Sequence, residues 1–197
     1  IAAALMPAVL LTCSGCLPHT ELNRQAIVEA IGVDYSAEGY EVSVQYFNTE
    51  ESGGSTLVDS SKANVVVVKG RGTDIQTALE SASVKCGRPF MFGITAAIVF
   101  GEEAAKRDLV KSLSFAETYY QSNPTTLIAV ANGKAGDIMD VQFKDGVVSV
   151  EHLRQLMTHA ELLGLGETKP LYKVMNELRQ PTGCTVLPLL APAMTES

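Results

Sequence analysis

Cys16 closes the run Cys13-Ser14-Gly15-Cys16 at the end of an apolar stretch that carries no charge from Ile1 to Thr20. A thiol preceded by two small residues suits lipoprotein processing. Ser14 and Gly15 let the backbone enter a signal peptidase, and the thiol accepts a diacylglyceryl group. Ala2, Ala3, Ala4, Leu5, Met6, Val9, Leu10 and Leu11 supply the apolar region that an export signal needs. Three residues before Cys16, where a Leu is usual, stands Cys13. Cys13 is the rival acceptor, with Leu10 at the matching position but the bulkier Leu11 and Thr12 between. An uncleaved membrane anchor is the competing reading, although Pro7 interrupts a run that is marginal for the ~20 residues of a span. A Cys-x-x-Cys redox pair belongs at the start of a helix after a strand, not in an export segment. Lipidation at Cys16 is the expectation.

The other reactive residues point to packing. Gly70-Arg71-Gly72 stands where a dinucleotide-binding turn would stand, but Ile75 occupies the place of its third glycine. A tight strand-to-helix turn is expected there. His152 and His159 are seven apart on one predicted helix, whereas paired zinc ligands on a helix are three or four apart. Cys86 has the spacing of an apolar helix face, which makes it a core thiol and not a nucleophile. Glu102-Glu103 suits the first turn of a helix, where carboxylates complement the dipole. Tyr119-Tyr120 closes a core edge, and His19 lies in a tether. No metal site, cofactor or catalytic residue is expected, and the chain reads as a non-enzyme. Whether Cys86 and Cys184 form a disulfide is open. The formal net charge is −7 with Lys and Arg scattered, which argues against nucleic acid as a partner.

These residues need elements to hold them. Ala26–Asp34 and Tyr40–Asn48 flank Ser36-Ala37-Glu38-Gly39 and predict a β-hairpin. The polar stretch Glu50–Ser61 reads as a loop. Val65–Val68 reads as a strand buried on both faces. Thr73 with Gln76 resembles a capping box for a helix carrying Ile75, Leu79, Ala82 and Cys86 on one face, stopped by Gly87. Ile94–Phe100 and Thr126–Ala131 predict strands; Ala104–Tyr120, Ala135–Val141, Val150–Leu163 and Leu171–Arg179 predict helices; Val186–Leu190 predicts a last strand. The order implies an α/β fold with a mixed β-sheet, flanking helices and an N-terminal β-hairpin. Residues 1–15 are expected to be a signal-peptide remnant, 16–25 a lipid-anchored tether and 26–197 one domain, a fragment of a longer protein.

Five blocks resemble the Ger(x)C family, the lipoprotein C subunits of spore germinant receptors. The first is Gly15-Cys16 followed by Glu21-Leu22-Asn23, Ala26-Ile27-Val28 and Ala30-Ile31-Gly32-Val33-Asp34. The second is Gly70-x-Gly72-Thr73, leading to the helix with Ala78. The third is Gly87-Arg88-Pro89-Phe90, Phe92-Gly93 and Phe100-Gly101-Glu102-Glu103-Ala104-Ala105. Ala129-Val130-Ala131-x-Gly133-Lys134-Ala135 and Val186-Leu187-Pro188 complete the series. The family pattern has Trp-Asp where this chain has Leu17-Pro18, His at Ile94 and Arg-Asp at Ala116-Glu117. The register of the blocks favours Cys16 over Cys13. The resemblance implies a non-enzymatic, palmitate-type lipoprotein on the outer face of the spore inner membrane. It would work there with integral-membrane A- and B-type receptor subunits in nutrient-triggered germination. The alternative is an extracytoplasmic solute- or cell-wall-binding lipoprotein.

Overall fold

The computed structural model describes residues 24–47, 65–107, 109–118, 123–140, 142–143, 146–147 and 150–191. Cys16, His19, the 50–61 loop and Tyr119-Tyr120 lie outside the described residues.

The chain starts with the expected hairpin. β1 (Ala26–Ser36) pairs antiparallel with β2 (Gly39–Phe47), and Ser36 faces Gly39 across the Ala37-Glu38 turn. β2 then pairs antiparallel with β3 (Val65–Gly72), the last strand of the sheet on this side. The valine run is therefore a strand, but not one buried on both faces: Val66 is exposed, and only Val67 and Val68 pack against the two cores. Four β-branched residues in a row favour extended backbone wherever they sit. Burial depends on the place in the strand order, which a run without alternation does not encode.

α1 (Ile75–Cys86) follows. Its cap is Asp74, one residue later than the sequence reading. The Asp74 carboxylate accepts the Thr77 N–H at 2.8 Å, and the Asp74 N–H donates to the Thr77 hydroxyl at 3.2 Å. These bonds hold the Asp74 carboxyl below its ordinary pKa. Ile75, Ala78, Leu79 and Ala82 form the buried face, with Cys86 only half buried at its end. Gly87 ends the helix in the left-handed conformation, φ 75°. Gly70 and Gly72 lie within β3 and not in the turn after it. A Cβ on Gly70 would stand 2.1 Å from the Ala78 carbonyl oxygen, and one on Gly72 2.5 Å from the Ala78 nitrogen. Their service is to let α1 rest directly on the strand. Lys85, in the last turn of α1, donates to the Lys69 carbonyl of β3 at 2.8 Å.

The parallel part of the sheet comes next. β4 (Phe90–Met91) and β5 (Ala97–Phe100) both pair parallel with β1, β4 with its first residues and β5 with Ala30–Val33. The helix expected over 104–120 is divided into α2 (Glu102–Ala105) and α3 (Leu109–Thr118). No Gly or Pro marks this break; between the helices the Arg107 side chain is drawn onto the ring of Tyr35. β6 (Leu127–Ala131) pairs parallel with β5, and α4 (Ala135–Met139) follows it. β7 (Gln142–Phe143) and β8 (Gly146–Val147) form a separate two-stranded sheet. α5 (Val150–Leu162) leads to β9 (Lys169–Pro170), antiparallel to β6, and then to α6 (Leu171–Leu178). β10 (Leu189–Leu190) closes the far side, parallel to β6.

The result is a mixed eight-stranded sheet between two helical layers, an α/β fold as expected. The larger core holds α1, α3 and α6 against Val28, Ile31, Val33, Ile98 and Phe100. The smaller holds α4 and α5 against Ala30, Ala97, Val99, Ala129 and Ala131. β5 shows the alternation plainly, Ile98 and Phe100 to one side and Ala97 and Val99 to the other. β1 breaks it. Its pairing with β2 shifts between Val28 and Ala30, so Glu29 is an extra residue, and Val28 and Ile31 both reach the larger core. Lys169, buried in β9, pairs with Glu177 of α6 at 2.8 Å, and Thr185 donates to the same carboxylate at 2.6 Å. Cys86 and Cys184 are both free thiols.

The helix-on-glycine contact yields a stability test. Gly70→Ala is expected to destabilise the domain by about 1–3 kcal/mol or more, because backbone and not a flexible side chain opposes the new methyl. Thermal unfolding of the variant beside wild type measures it.

Candidate functional site

Three of the segments singled out in the sequence end at the same place. Residues 30–34, 100–105 and 129–135 bring Asp34, Gly101 and Ala135 together where the parallel strands β1, β5 and β6 finish. In open α/β sheets this is the end at which ligands bind. Here a carboxylate of the chain itself fills the position. Asp34 accepts the N–H of Ala135 at 2.8 Å and of Gly136 at 2.8 Å, capping the first turn of α4. A Cβ on Gly101 would fall 2.1 Å from Asp34 Oδ1, so this glycine makes room for the carboxylate. The Gly101 N–H donates to Val33 and the Glu102 N–H to Gly133, both at 2.8 Å, which stitches the three strand ends to one another. Beside the cap, Lys69 pairs with Asp140, whose carboxylate raises the Lys69 pKa. Ser43 is buried there with no partner for its hydroxyl.

Beyond this clamp lies a groove of about 540 Å³ between the hairpin tip, the start of α1 and α3. Tyr35 and Tyr40 meet edge to face with centroids 4.9 Å apart, and Arg107 lies over Tyr35 with Cζ 3.6 Å from the ring centre. Asp74, Gln76, Lys111 and Phe115 complete the lining with Ser112, whose buried hydroxyl has no partner. A guanidinium over an aromatic ring can still donate to a carboxylate or a carbonyl. The groove has the chemistry of recognition.

The remaining sequence candidates stay apart. His152 and His159 are both exposed on α5, roughly 10 Å apart along its axis. Among the described residues no three His, Cys, Asp or Glu side chains gather as metal ligands. Glu102 and Glu103 open α2 and pair with Lys106 at 2.7 and 3.1 Å, as their position in a first turn required. Among the described residues no helix is long and apolar enough to cross a membrane.

Sequence reasoning missed three residues. Asp34 stands out only as part of a block, since a bond to residues 135 and 136 leaves no local trace. Arg107 lies in what reads as helix. Glu29 reads as an ordinary polar position in an alternating strand, yet it sits at the bulge, half buried, with one carboxylate oxygen sealed from solvent and unpartnered. Burial pushes its carboxyl pKa up.

Two measurements follow from this geometry. Asp34→Ala is expected to cost about 1–3 kcal/mol in chemical denaturation, the worth of hydrogen bonds to a charged acceptor, with faster amide exchange at Ala135 and Gly136. Glu29, raised in the folded state, binds its proton more tightly folded than unfolded, so its ionisation opposes folding as pH rises past the ordinary Glu range. Glu29→Gln is therefore expected to be more stable than wild type at pH 7, with the advantage shrinking as the pH is lowered towards 4.

The family model described as "Spore germination protein N-terminal domain" matches residues 18–192. YfkR of Bacillus subtilis (strain 168), assigned by its name to spore germination, is 26% identical over 155 residues, covering 77% of this chain and 40% of YfkR. The chain thus spans less than half the length of that relative. No solved structure gives a significant match.

Proposed function

Because the chain belongs to the family of spore germination protein N-terminal domains, we propose that it serves in germination as a lipid-anchored subunit of a germinant receptor. The observation that carries this reading is the family match across residues 18–192, nearly the whole chain. The role is placement and assembly, without catalysis. Residues 1–15 are the signal that is removed, Cys16 carries the lipid, 16–25 form the tether and 26–197 the body. A diacyl chain on Cys16 holds the domain stably, which a single acyl chain would not. Confinement to the outer face of the spore inner membrane raises its effective concentration beside the polytopic A- and B-type subunits. The Tyr35–Arg107 groove and the polar hairpin tip are surfaces for such contacts.

The same groove favours a second reading, an extracytoplasmic solute- or cell-wall-binding lipoprotein, because its volume falls within the range of small-molecule sites. A neighbouring pair of genes for polytopic membrane proteins distinguishes the receptor subunit. A neighbouring ATP-driven permease distinguishes the binding protein.

Metabolic labelling with a fatty acid tests the anchor. The protein with a full export signal is expected to take up label, and Cys16→Ala to take up none, to leave the membrane fraction and to slow nutrient-triggered germination while its melting temperature is unchanged. Label on neither protein, or a normal nutrient response from unlabelled Cys16→Ala, contradicts the proposal.

A further inference from the structure

Large apolar side chains are exposed at several places, Val110 and Leu189 among them towards the end where the parallel strands finish, but one group stands together at the other end. Val84, Ile94, Leu162, Leu163, Leu165 and Tyr172 are all exposed, and all adjoin the end of the sheet at which its parallel strands begin. Val84 is in the last turn of α1, from which the chain runs through Pro89 into β4, and the Pro89 carbonyl accepts the N–H of Ala26 at 2.9 Å. Ile94 is in the turn between β4 and β5. Tyr172 is in the first turn of α6, its N–H donating to the Pro124 carbonyl just ahead of β6. The turn after α5 is held to the same place by Lys173, which pairs with Glu167 at 2.6 Å. Leu162, Leu163 and Leu165 in and beside that turn are 80%, 61% and 77% exposed. The opposite end, at the hairpin tip, presents Glu38, Glu41, Arg71 and Lys134.

We propose that the leucine-bearing end lies against the lipid bilayer, with Leu162, Leu163 and Leu165 entering its interface. This rests on the reading that Cys16 carries the lipid. The described chain begins at Arg24 and enters β1 at Ala26, at the same end as the leucines. The eight residues from Cys16 to Arg24 span at most about 29 Å when fully extended. The tether therefore holds this end of the domain close to the membrane and leaves the polar tip directed away. Exposed apolar side chains grouped in this way mark a surface that is covered in use. Water is a poor solvent for them and the acyl boundary a good one. With a net charge of −7, contact comes from apolar insertion and not from attraction to anionic lipid. Lipid supplies retention, and the leucines supply orientation.

The chain contains no Trp, so one introduced Trp reports its own surroundings. Lipidated Leu165→Trp and Val110→Trp forms of this chain, supplied with an export signal, are bound to phosphatidylcholine vesicles with and without bromine on the acyl chains. Val110 is partly exposed in the first turn of α3, which follows the far end of β5. The expected result is blue-shifted emission and bromine quenching for Leu165→Trp, with neither for Val110→Trp. Val84→Trp provides a second reporter at the leucine end and is expected to be quenched likewise. An unquenched Leu165→Trp and Val84→Trp on protein that sediments with vesicles overturns the proposal. So does equal quenching at both ends, or a blue shift without quenching, which means that protein covers the leucines. Failure of the lipidated wild type to sediment with vesicles instead removes the anchoring premise, and the proposal with it.

Discussion

The upper end of the sheet depends on one carboxylate. Asp34 takes two backbone N–H groups of α4 and is lodged against Gly101, so the ends of β1, β5 and β6 meet at a single charged acceptor. The usual logic of such an end is that helix starts present unfilled donors to an incoming anion. In this chain the donors are already satisfied. That arrangement spends the familiar ligand position on holding the smaller helical layer in place, and the open groove lies further out, at the hairpin tip, where Tyr35 and Arg107 stand.

Much of this was legible in the chain. The hairpin, the cap at Gly87 and the alternation of strands with helices rest on local rules: a turn between two extended runs, a left-handed residue after a helix, a change of hydrophobic period. What was illegible is what depends on residues far apart. The burial of the valine strand follows from its place beside β2, the contact of Arg107 with a ring that belongs to β1 leaves no local trace, and the glycines of β3 answer the approach of α1. The Asp74 cap was missed by a single position because Thr73 and Asp74 are both good caps, and only the geometry of Thr77 decides between them. At the groove, no period or spacing in the chain joins Tyr35, Ser112 and Arg107.

β1 carries the tension between fold and function. As the central strand it pairs antiparallel on one side and parallel on the other, and its bulge at Glu29 turns both Val28 and Ile31 inward. The cost is a half-buried carboxylate with no partner for one oxygen. The same strand begins at the end proposed to face the membrane and finishes at the Asp34 clamp, so it links the two ends through backbone alone.

The bond from Lys85 to the carbonyl of Lys69 has a consequence for the edge of the sheet. An outer strand rich in valine is a place where another strand can add edge to edge. A carbonyl that already accepts from an ammonium is a poor acceptor for a strand arriving from another molecule, and that molecule would bring the same positive charge towards it. Among the described residues, one lysine on α1 thus occupies a backbone acceptor of the outermost strand from within the chain.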